Sequence, residues 1–239
     1  MKNSYWEKSI YFQKKIKIYI NEILSVYGYR VDLMMRDVNL LNNENNSVES
    51  STAIGFCFEE FIVSKLETYT SVKYNQNPNS EFLIQRIKKG TQNSSYDCYS
   101  IFNSEKYLIN IKVDRDSNNA ISAINKLHKD YVLDEPELTK HFMILKFKYN
   151  VDNVGDNSIV HREIIINEVE TFFLEEIDFS KGHKQDNRNW SEKFNKNSGR
   201  LQINNKFRNE NKINENEISY KRTYEQIKTM VKNNEENSK

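Results

Sequence analysis

Three apolar segments between residues 96 and 149 constrain the fold of this 239-residue chain more than any other feature. The first two, 96–102 and 107–113, are short and joined by Asn-Ser-Glu-Lys, which is typical of a turn, so they predict a β-hairpin. A helical pattern at 117–129 separates them from the third run, 141–149, and residues 160–166 predict one more strand. Strands, a helix and strands in this order predict a mixed α/β sheet in which a crossover helix covers one face.

Helices are predicted on both sides of this region. Apolar residues recur at mostly three- or four-residue steps in 5–27 and again in 53–67, where the stripe lies beside Glu59 and Glu60. Residues 81–87 predict an additional strand. We expect a single domain with four parts: an N-terminal helix at 5–27, a core at about 53–166, a basic late segment at about 181–208 and a C-terminal helix at about 217–233.

The composition excludes several classes of protein. Lys and Arg number 35 and Asp and Glu 34, so a wholly basic or acidic surface is excluded and any nucleic-acid contact must be local. Cys57 and Cys98 have no partner at a metal-ligand spacing, and the four histidines have no two-histidine clamp. The chain has no apolar run of about 18 residues and no secretory pattern, so we expect a cytoplasmic protein without a membrane span.

The pattern that points to chemistry is Asp97 followed thirteen residues later by Asn110-Ile111-Lys112. Strand alternation puts residues 110 and 112 on one face of the sheet and turns Ile111 into the opposite layer. The hairpin would bring Asp97 close to both. A carboxylate beside a lysine can hold a divalent cation and orient a water against a phosphate.

This pattern resembles the PD-(D/E)xK superfamily of nucleases, and within it type II restriction endonucleases of the EcoRV and HincII kind. Residues 55–59 resemble a helix that carries a glutamate near the metal, residues 117–123 a helix after the lysine strand, and residues 198–203 a late strand near the DNA. The resemblance covers about 53–205. It implies a restriction-endonuclease-like core and a Mg²⁺-dependent cut of double-stranded DNA. It also implies that Asp97, Asn110 and Glu59 are metal ligands and that Lys112 assists the attacking water.

The chain departs from this pattern at Asn110, where the superfamily has Asp or Glu. An amide oxygen can still bind a hard cation, but it brings no negative charge. Three explanations remain open: an engineered inactivating change, a native residue whose missing charge comes from Glu59 or Asp114, or a catalytically inactive binder. Glu60 is an alternative to Glu59.

The late segment is the predicted DNA-binding region. Between Lys181 and Arg208 eight residues are Lys or Arg and two are Asp or Glu. Basic side chains can neutralise phosphates, and Arg, Asn and Gln can reach base edges. The candidate DNA-binding residues are Lys181, Lys184, Arg188, Arg200, Gln202, Asn204, Asn205, Lys206, Asn118 and Asn119.

The predicted function is therefore a type II restriction endonuclease. A palindromic target would call for a homodimer, and the terminal helices are the expected dimer elements. The alternatives are an inactive, degenerate nuclease homologue that binds DNA and a repair nuclease that recognises DNA structure.

Overall fold

A mixed sheet lies between two layers of helices and loops in the computed structural model of this chain. The structure describes residues 4–32, 51–87, 94–114, 120–154, 161–180, 184–186 and 200–236. The helices are α1 (Ser4–Tyr27), α2 (Ser51–Gln76), α3 (Ile124–Leu127), α4 (Asn205–Glu210) and α5 (Tyr220–Glu236). The strands are β1 (Arg30–Asp32), β2 (Gln85–Arg86), β3 (Cys98–Phe102), β4 (Glu105–Asp114), β5 (Ala120–Ala123), β6 (Thr139–Val154), β7 (His161–Phe173), β8 (Lys184–Asp186) and β9 (Arg200–Gln202).

Strand β4 is at the centre of the main sheet. Within the described ranges this sheet has six strands in the order β1-β7-β6-β4-β3-β2, and a second sheet has three in the order β5-β9-β8. β4 pairs antiparallel with β3 and parallel with β6. A parallel neighbour requires a crossover, which residues 120–133 supply. The prediction of a mixed α/β sheet flanked by helices is confirmed.

The β3–β4 hairpin turns through two residues. Asn103 and Ser104 both have positive φ, 51° and 61°, and Phe102 pairs with Glu105 on either side of them. Two central residues with positive φ match the right-handed twist of the flanking strands, and Asn tolerates this conformation better than most residues. The predicted hairpin is confirmed, with a tighter turn than the four residues expected.

Helices α1 and α2 cover one face of the sheet. The buried stripe of α1 includes Phe12, Ile16 and Ile20, and that of α2 includes Phe58 and Ile62, at the spacing of a helix face. Both helices are confirmed; α2 extends to Gln76 rather than ending near residue 67. This first layer also receives Ile109 and Ile111 from β4.

The opposite face packs against the crossover, β9 and α5. Leu108, Ile121, Leu201 and Ile227 belong to this second layer. The helix predicted at 117–129 is wrong over 120–123, which form strand β5; α3 is a single turn and continues as a π-helix at His128–Leu133. Residues 115–119 lie outside the described residues.

Two shorter differences concern strands. The strand expected at 81–87 is reduced to Gln85–Arg86, and β7 extends through residue 173, well past the predicted end at 166. Helix α5 confirms the predicted C-terminal helix with a shift of about one turn.

In the described parts of the chain, no helix combines the length and apolar character that a membrane span needs.

Candidate active site

Asp97 is fastened to strand β4 at the start of the hairpin. Its backbone N–H donates to the Ile109 carbonyl at 2.9 Å, and its Oδ2 accepts the backbone N–H of Ile111 at 2.6 Å. The Asp97 side chain thus adds one hydrogen bond to the pairing of β3 with β4, just before Cys98, where β3 begins. The carboxyl group of Asp97 is therefore held by the backbone of Ile111, the residue that precedes Lys112.

Lys112 and the two candidate carboxyl groups influence one another electrostatically. Burial raises the pKa of Asp97, while the Lys112 charge and the Ile111 N–H lower it and the charge of Glu60 raises it. Burial also raises the pKa of Glu59, to about 7, against the lowering effect of Lys112 and with further raising effects of Asp97 and Glu60. An opposite charge shifts a carboxyl pKa in this way when it lies nearby. Three elements, α2, the start of β3 and β4, therefore bring these groups to one region.

Glu59 and Glu60 have different surroundings. The carboxylate of Glu60 binds the guanidinium of Arg86, which also contacts Glu67 at 3.8 Å. Glu59 is instead the residue whose pKa responds to both Lys112 and Asp97. The charge of Glu60 also raises the pKa of Asp97, so what distinguishes Glu59 is its interaction with both Lys112 and Asp97, whereas Glu60 is paired with Arg86. The side chain of Asp114, the third candidate, lies outside what the structure describes.

Asn110 is buried and uses its amide nitrogen for structure. Nδ2 donates to the carbonyl oxygens of Ser95 and Ile121, the latter at 3.0 Å. Two carbonyl partners fix the orientation of the amide, since only the nitrogen can donate to them. Its Oδ1 is buried and has no hydrogen-bond partner among the described residues. Asn110 thus joins β4 to the second layer and leaves one oxygen unsatisfied.

Asp130 is a supporting residue that the sequence pattern did not single out. Its Oδ2 accepts the hydroxyl of Ser94 at 2.9 Å and the backbone N–H of Ser95 at 2.5 Å. Asn110 holds the carbonyl of the same Ser95, two residues before Asp97. The loop that leads to Asp97 is therefore fixed from both sides. In the sequence Asp130 follows Lys129 and has the appearance of an exposed charge, so no local signal marks it.

The candidate DNA-binding residues fall into two groups. Arg200 is exposed and Gln202 half-buried on β9, whereas Asn204 lies beyond the end of that strand. Gln202 and Asn204 therefore do not share a strand face, because Asn204 caps α4 by accepting the Phe207 N–H at 2.7 Å. Asn205 has a buried Oδ1 without a described partner, and Lys206 is exposed and lies 3.9 Å from Glu210. Outside the described residues lie Lys181, Arg188, Asn118, Asn119 and the side chain of Lys184.

His141 forms a buried network away from this site. Its ring is stacked between Tyr5 and Tyr107, and its nitrogens contact Ser9 Oγ and Glu105 Oε2, each at 2.8 Å. Burial lowers the pKa of His141, against the raising effect of Glu105. With no exposed surface on the ring, the network ties α1 to β4 and β6. His141 therefore has a structural role in the packing of these three elements.

Comparisons with known proteins leave the family open. No family model matches the chain, and no curated protein matches it. The function is therefore inferred from the site itself.

Proposed function

We propose that this chain is a Mg²⁺-dependent type II restriction endonuclease, which cleaves phosphodiester bonds at a specific site in double-stranded DNA. The observation that carries the proposal is the hairpin geometry that holds the Asp97 carboxyl on the Ile111 N–H at 2.6 Å, next to Lys112. Glu59 of α2 supports it, because Lys112 and Asp97 both shift its pKa. Pairs of acidic groups with shifted pKa values beside a lysine are typical of catalytic sites. The order of helix, hairpin, crossover and parallel strand supports the same proposal.

The residues present fit a magnesium ion that is shared with substrate. No cluster of three or more His, Cys, Asp or Glu residues that could hold a metal occurs in the described ranges. Magnesium, however, is commonly bound through one or two carboxylates together with substrate phosphates. Asp97 and Glu59 would supply the carboxylates and the unsatisfied Oδ1 of Asn110 a third oxygen. When bound, the ion would stabilise negative charge on the phosphate.

The protein groups have separate tasks in the cleavage. Asp97, held by the Ile111 N–H, keeps its position while substrate binds. Lys112 orients the attacking water and balances charge on the phosphate oxygens. Glu59, with a pKa of about 7, can ionise near neutral pH and share the cation with Asp97, while the proton of the attacking water passes to bulk water. The water oxygen bonds to phosphorus as the bond to the leaving oxygen breaks on the opposite side, and the leaving oxygen takes a proton from bulk water.

The proposal includes a cytoplasmic homodimer that binds duplex DNA. Two copies related by a two-fold axis would give one active site for each strand of a palindromic target. The proposal assigns the dimer contact to helix α1, where it would cover the exposed Ile18 and Val26, which are 52% and 78% accessible.

A second candidate function is a degenerate nuclease that binds DNA without cutting it. It is favoured by one observation, the use of the Asn110 nitrogen as a donor to two carbonyl groups. A carboxylate could not replace that role. In this alternative, position 110 has become structural and the site has lost its second acid.

A cleavage assay separates the two functions. Supercoiled plasmid is incubated with Mg²⁺ and the wild-type chain, Asn110→Asp or Lys112→Met. Discrete, sequence-dependent bands from the wild type or from Asn110→Asp, absent with Lys112→Met, support the endonuclease. Binding without cutting by the wild type and by Asn110→Asp supports the degenerate binder. Full-rate cutting by Lys112→Met removes the proposed mechanism.

A further inference from the structure

Asp130 is a buried acidic residue of the crossover that reaches the loop in front of Asp97. Its side chain is only 6% exposed. Its Oδ2 accepts the Ser94 hydroxyl at 2.9 Å and the backbone N–H of Ser95 at 2.5 Å. Hydrogen bonds to a buried carboxylate are strong, so both partners are firmly held. These partners lie two and three positions before Asp97 in the sequence.

A π-helix presents Asp130 to this loop. The element His128–Leu133 has the wider turn of a π-helix, a geometry that is rare and often found at functional sites. Tyr131 and Val132, the residues that follow Asp130, are buried in the second layer. The Tyr131 hydroxyl donates to Glu175 at 2.7 Å. Because its neighbours are anchored in the core, Asp130 is carried by a rigid element and can fix what it contacts.

Ser95 is held at both of its backbone polar groups. Asp130 accepts the Ser95 N–H, and Asn110 donates to the Ser95 carbonyl oxygen. Removal of the Asp130 carboxylate would leave a buried N–H without its acceptor, which is costly enough to make the loop move. Because this loop leads directly into Asp97, its movement would draw the Asp97 carboxyl away from the Ile111 N–H.

We propose that Asp130 is a positioning residue of the candidate active site, which keeps the Asp97 carboxyl in place by holding Ser94 and Ser95. This inference rests on the proposed function and extends it to a residue outside the Asp97 to Lys112 pattern. Asp130 acts through Asp97 and contacts neither the cation nor the DNA. Its hydrogen bonds carry this role, and its charge does not.

Charge balance is the competing role for Asp130. Burial and the charge of Arg200 lower the pKa of Lys126, and the charge of Asp130 raises it. Asp130→Asn separates the two roles, because an amide oxygen can accept from Ser94 and Ser95 but carries no charge. The positioning role predicts that Asp130→Asn behaves like the wild type, whereas charge balance predicts that it behaves like Asp130→Ala.

Hydrogen exchange of the Ile111 amide measures whether Asp97 is held. The Ile111 N–H donates to Asp97 Oδ2 at 2.6 Å, so it exchanges faster when that carboxyl moves away. In Asp130→Ala, the exchange rate of this amide, followed by NMR, should rise about tenfold or more. Asp130→Asn should stay within about threefold of the wild-type rate.

Cleavage kinetics supply the second measurement. In Asp130→Ala, kcat for Mg²⁺-dependent plasmid cleavage should fall about 100-fold, since a small misplacement of a catalytic group has an effect of this size. KM for the plasmid should not change, because Asp130 does not contact DNA. Ser94→Ala removes one donor without leaving a buried N–H unsatisfied, so the fold should tolerate it. It should change the Ile111 exchange rate and kcat in the same directions, by about threefold each.

Thr70→Val is the matched control for stability. The buried Thr70 hydroxyl accepts the Ile84 N–H at 3.0 Å, so this variant also removes a side-chain acceptor from a buried backbone N–H. Thr70→Val and Asp130→Ala should both lower the midpoint of thermal unfolding. In Asp130→Ala alone, the Ile111 amide should exchange faster than the other amides of β4 and kcat should fall.

The outcomes separate this inference from the proposed function. Unchanged Ile111 exchange in a folded Asp130→Ala overturns the inference, whether or not the wild type cuts DNA. If Asp130→Ala does not fold, unchanged Ile111 exchange in Ser94→Ala overturns it instead. Faster exchange with unchanged kcat would make Asp130 purely structural, and a loss in Asp130→Asn equal to that in Asp130→Ala would assign the role to charge; either result overturns it. A wild type that never cuts, with faster Ile111 exchange in Asp130→Ala, ends the endonuclease and supports the positioning of Asp97 by Asp130.

Discussion

Asp97 Oδ2 lies 2.6 Å from the backbone nitrogen of Ile111, so the candidate carboxylate and Lys112 are carried by one hydrogen-bonded unit. Because of this contact, substitutions at position 97 can separate the structural role of the side chain from its proposed catalytic role. Asn can accept the same N–H but brings no negative charge. Asp97→Asn should therefore keep the free energy of unfolding within about 1 kcal/mol of wild type and lower the Mg²⁺-dependent cleavage rate by about 100-fold or more.

Asp97→Ala supplies the comparison. It removes both the charge and the acceptor of the Ile111 N–H, so it should cost about 1–3 kcal/mol in urea unfolding in addition to activity. Asp97→Asn with wild-type cleavage would show that the charge is not required.

Lys112 should control the protonation of Glu59. Because its charge lowers the Glu59 pKa, Lys112→Met should raise that pKa above its value of about 7. The measurement is an NMR titration of ¹³C-labelled glutamate side chains. Lys148→Met is the matched control, since Lys148 contacts Glu168 at 2.5 Å instead. An unchanged Glu59 titration in Lys112→Met would contradict the coupling on which the site depends.

Asn110→Asp should destabilise the fold when no cation is present. The change replaces a donor by a carboxylate that faces the carbonyl oxygens of Ser95 and Ile121. Loss of two buried hydrogen bonds should cost about 2–4 kcal/mol in urea unfolding at pH 7. If position 110 adjoins a metal, Mg²⁺ should restore part of this loss.

Asn204→Asp is the control, because it makes the same chemical change at a position where the fold should tolerate a carboxylate. The side-chain oxygen of Asn204 accepts the Phe207 N–H as a helix cap, and Asp is an equally good cap. Its free energy of unfolding should stay within about 0.5 kcal/mol of wild type. Equal stability of Asn110→Asp and wild type in chelator would contradict the assigned amide orientation.

Local sequence patterns predicted the elements whose stabilising contacts join residues close together in the sequence. The stripe of α1 and the turn at Asn103 and Ser104 are encoded within a few residues, so the helix and the hairpin could be read from the sequence. The convergence of Asp97 and Lys112 followed from the hairpin in the same way. Their chemistry and the function remain predictions.

Strand β5 within the predicted crossover could not be foreseen, because the residues with which it pairs are distant in the sequence. Ile121, Ile124 and Leu127 recur every three residues and favour a helix. Ala120–Ala123 nevertheless pairs with Arg200–Gln202, and Ile121 accepts from Asn110. These contacts satisfy the backbone as a strand and override the local helical pattern.

Glu175 should make the protein less stable as the pH rises. It accepts the Tyr131 hydroxyl and the Phe142 N–H, each at 2.7 Å, and burial raises its pKa to about 7. The folded state therefore keeps a proton that the unfolded chain loses near pH 4.5, the ordinary value. Stability is highest below that pH and falls by about 3 kcal/mol up to pH 7.

Glu175→Gln removes this dependence while keeping both acceptor contacts. Urea unfolding at several pH values between 4.5 and 7.5 should give a shallower decline for the variant. Glu59 contributes to the same window because burial also raises its pKa to about 7, so the decline should not vanish entirely. A slope identical to wild type would mean that Glu175 is ionised in the fold throughout this range.

Ile18→Asp should separate the proposed dimer. Ile18 is 52% exposed on α1, so a charge there costs the monomer little but would be buried in a contact between two α1 helices. Sedimentation should show wild type at twice 28.5 kDa and the variant at 28.5 kDa. Val72→Asp, equally exposed on α2, should remain dimeric. Because each copy supplies one active site, the monomeric variant should nick plasmid to the open-circular form before any linear product appears. Dimeric Ile18→Asp that still makes linear product directly would exclude α1 as the contact.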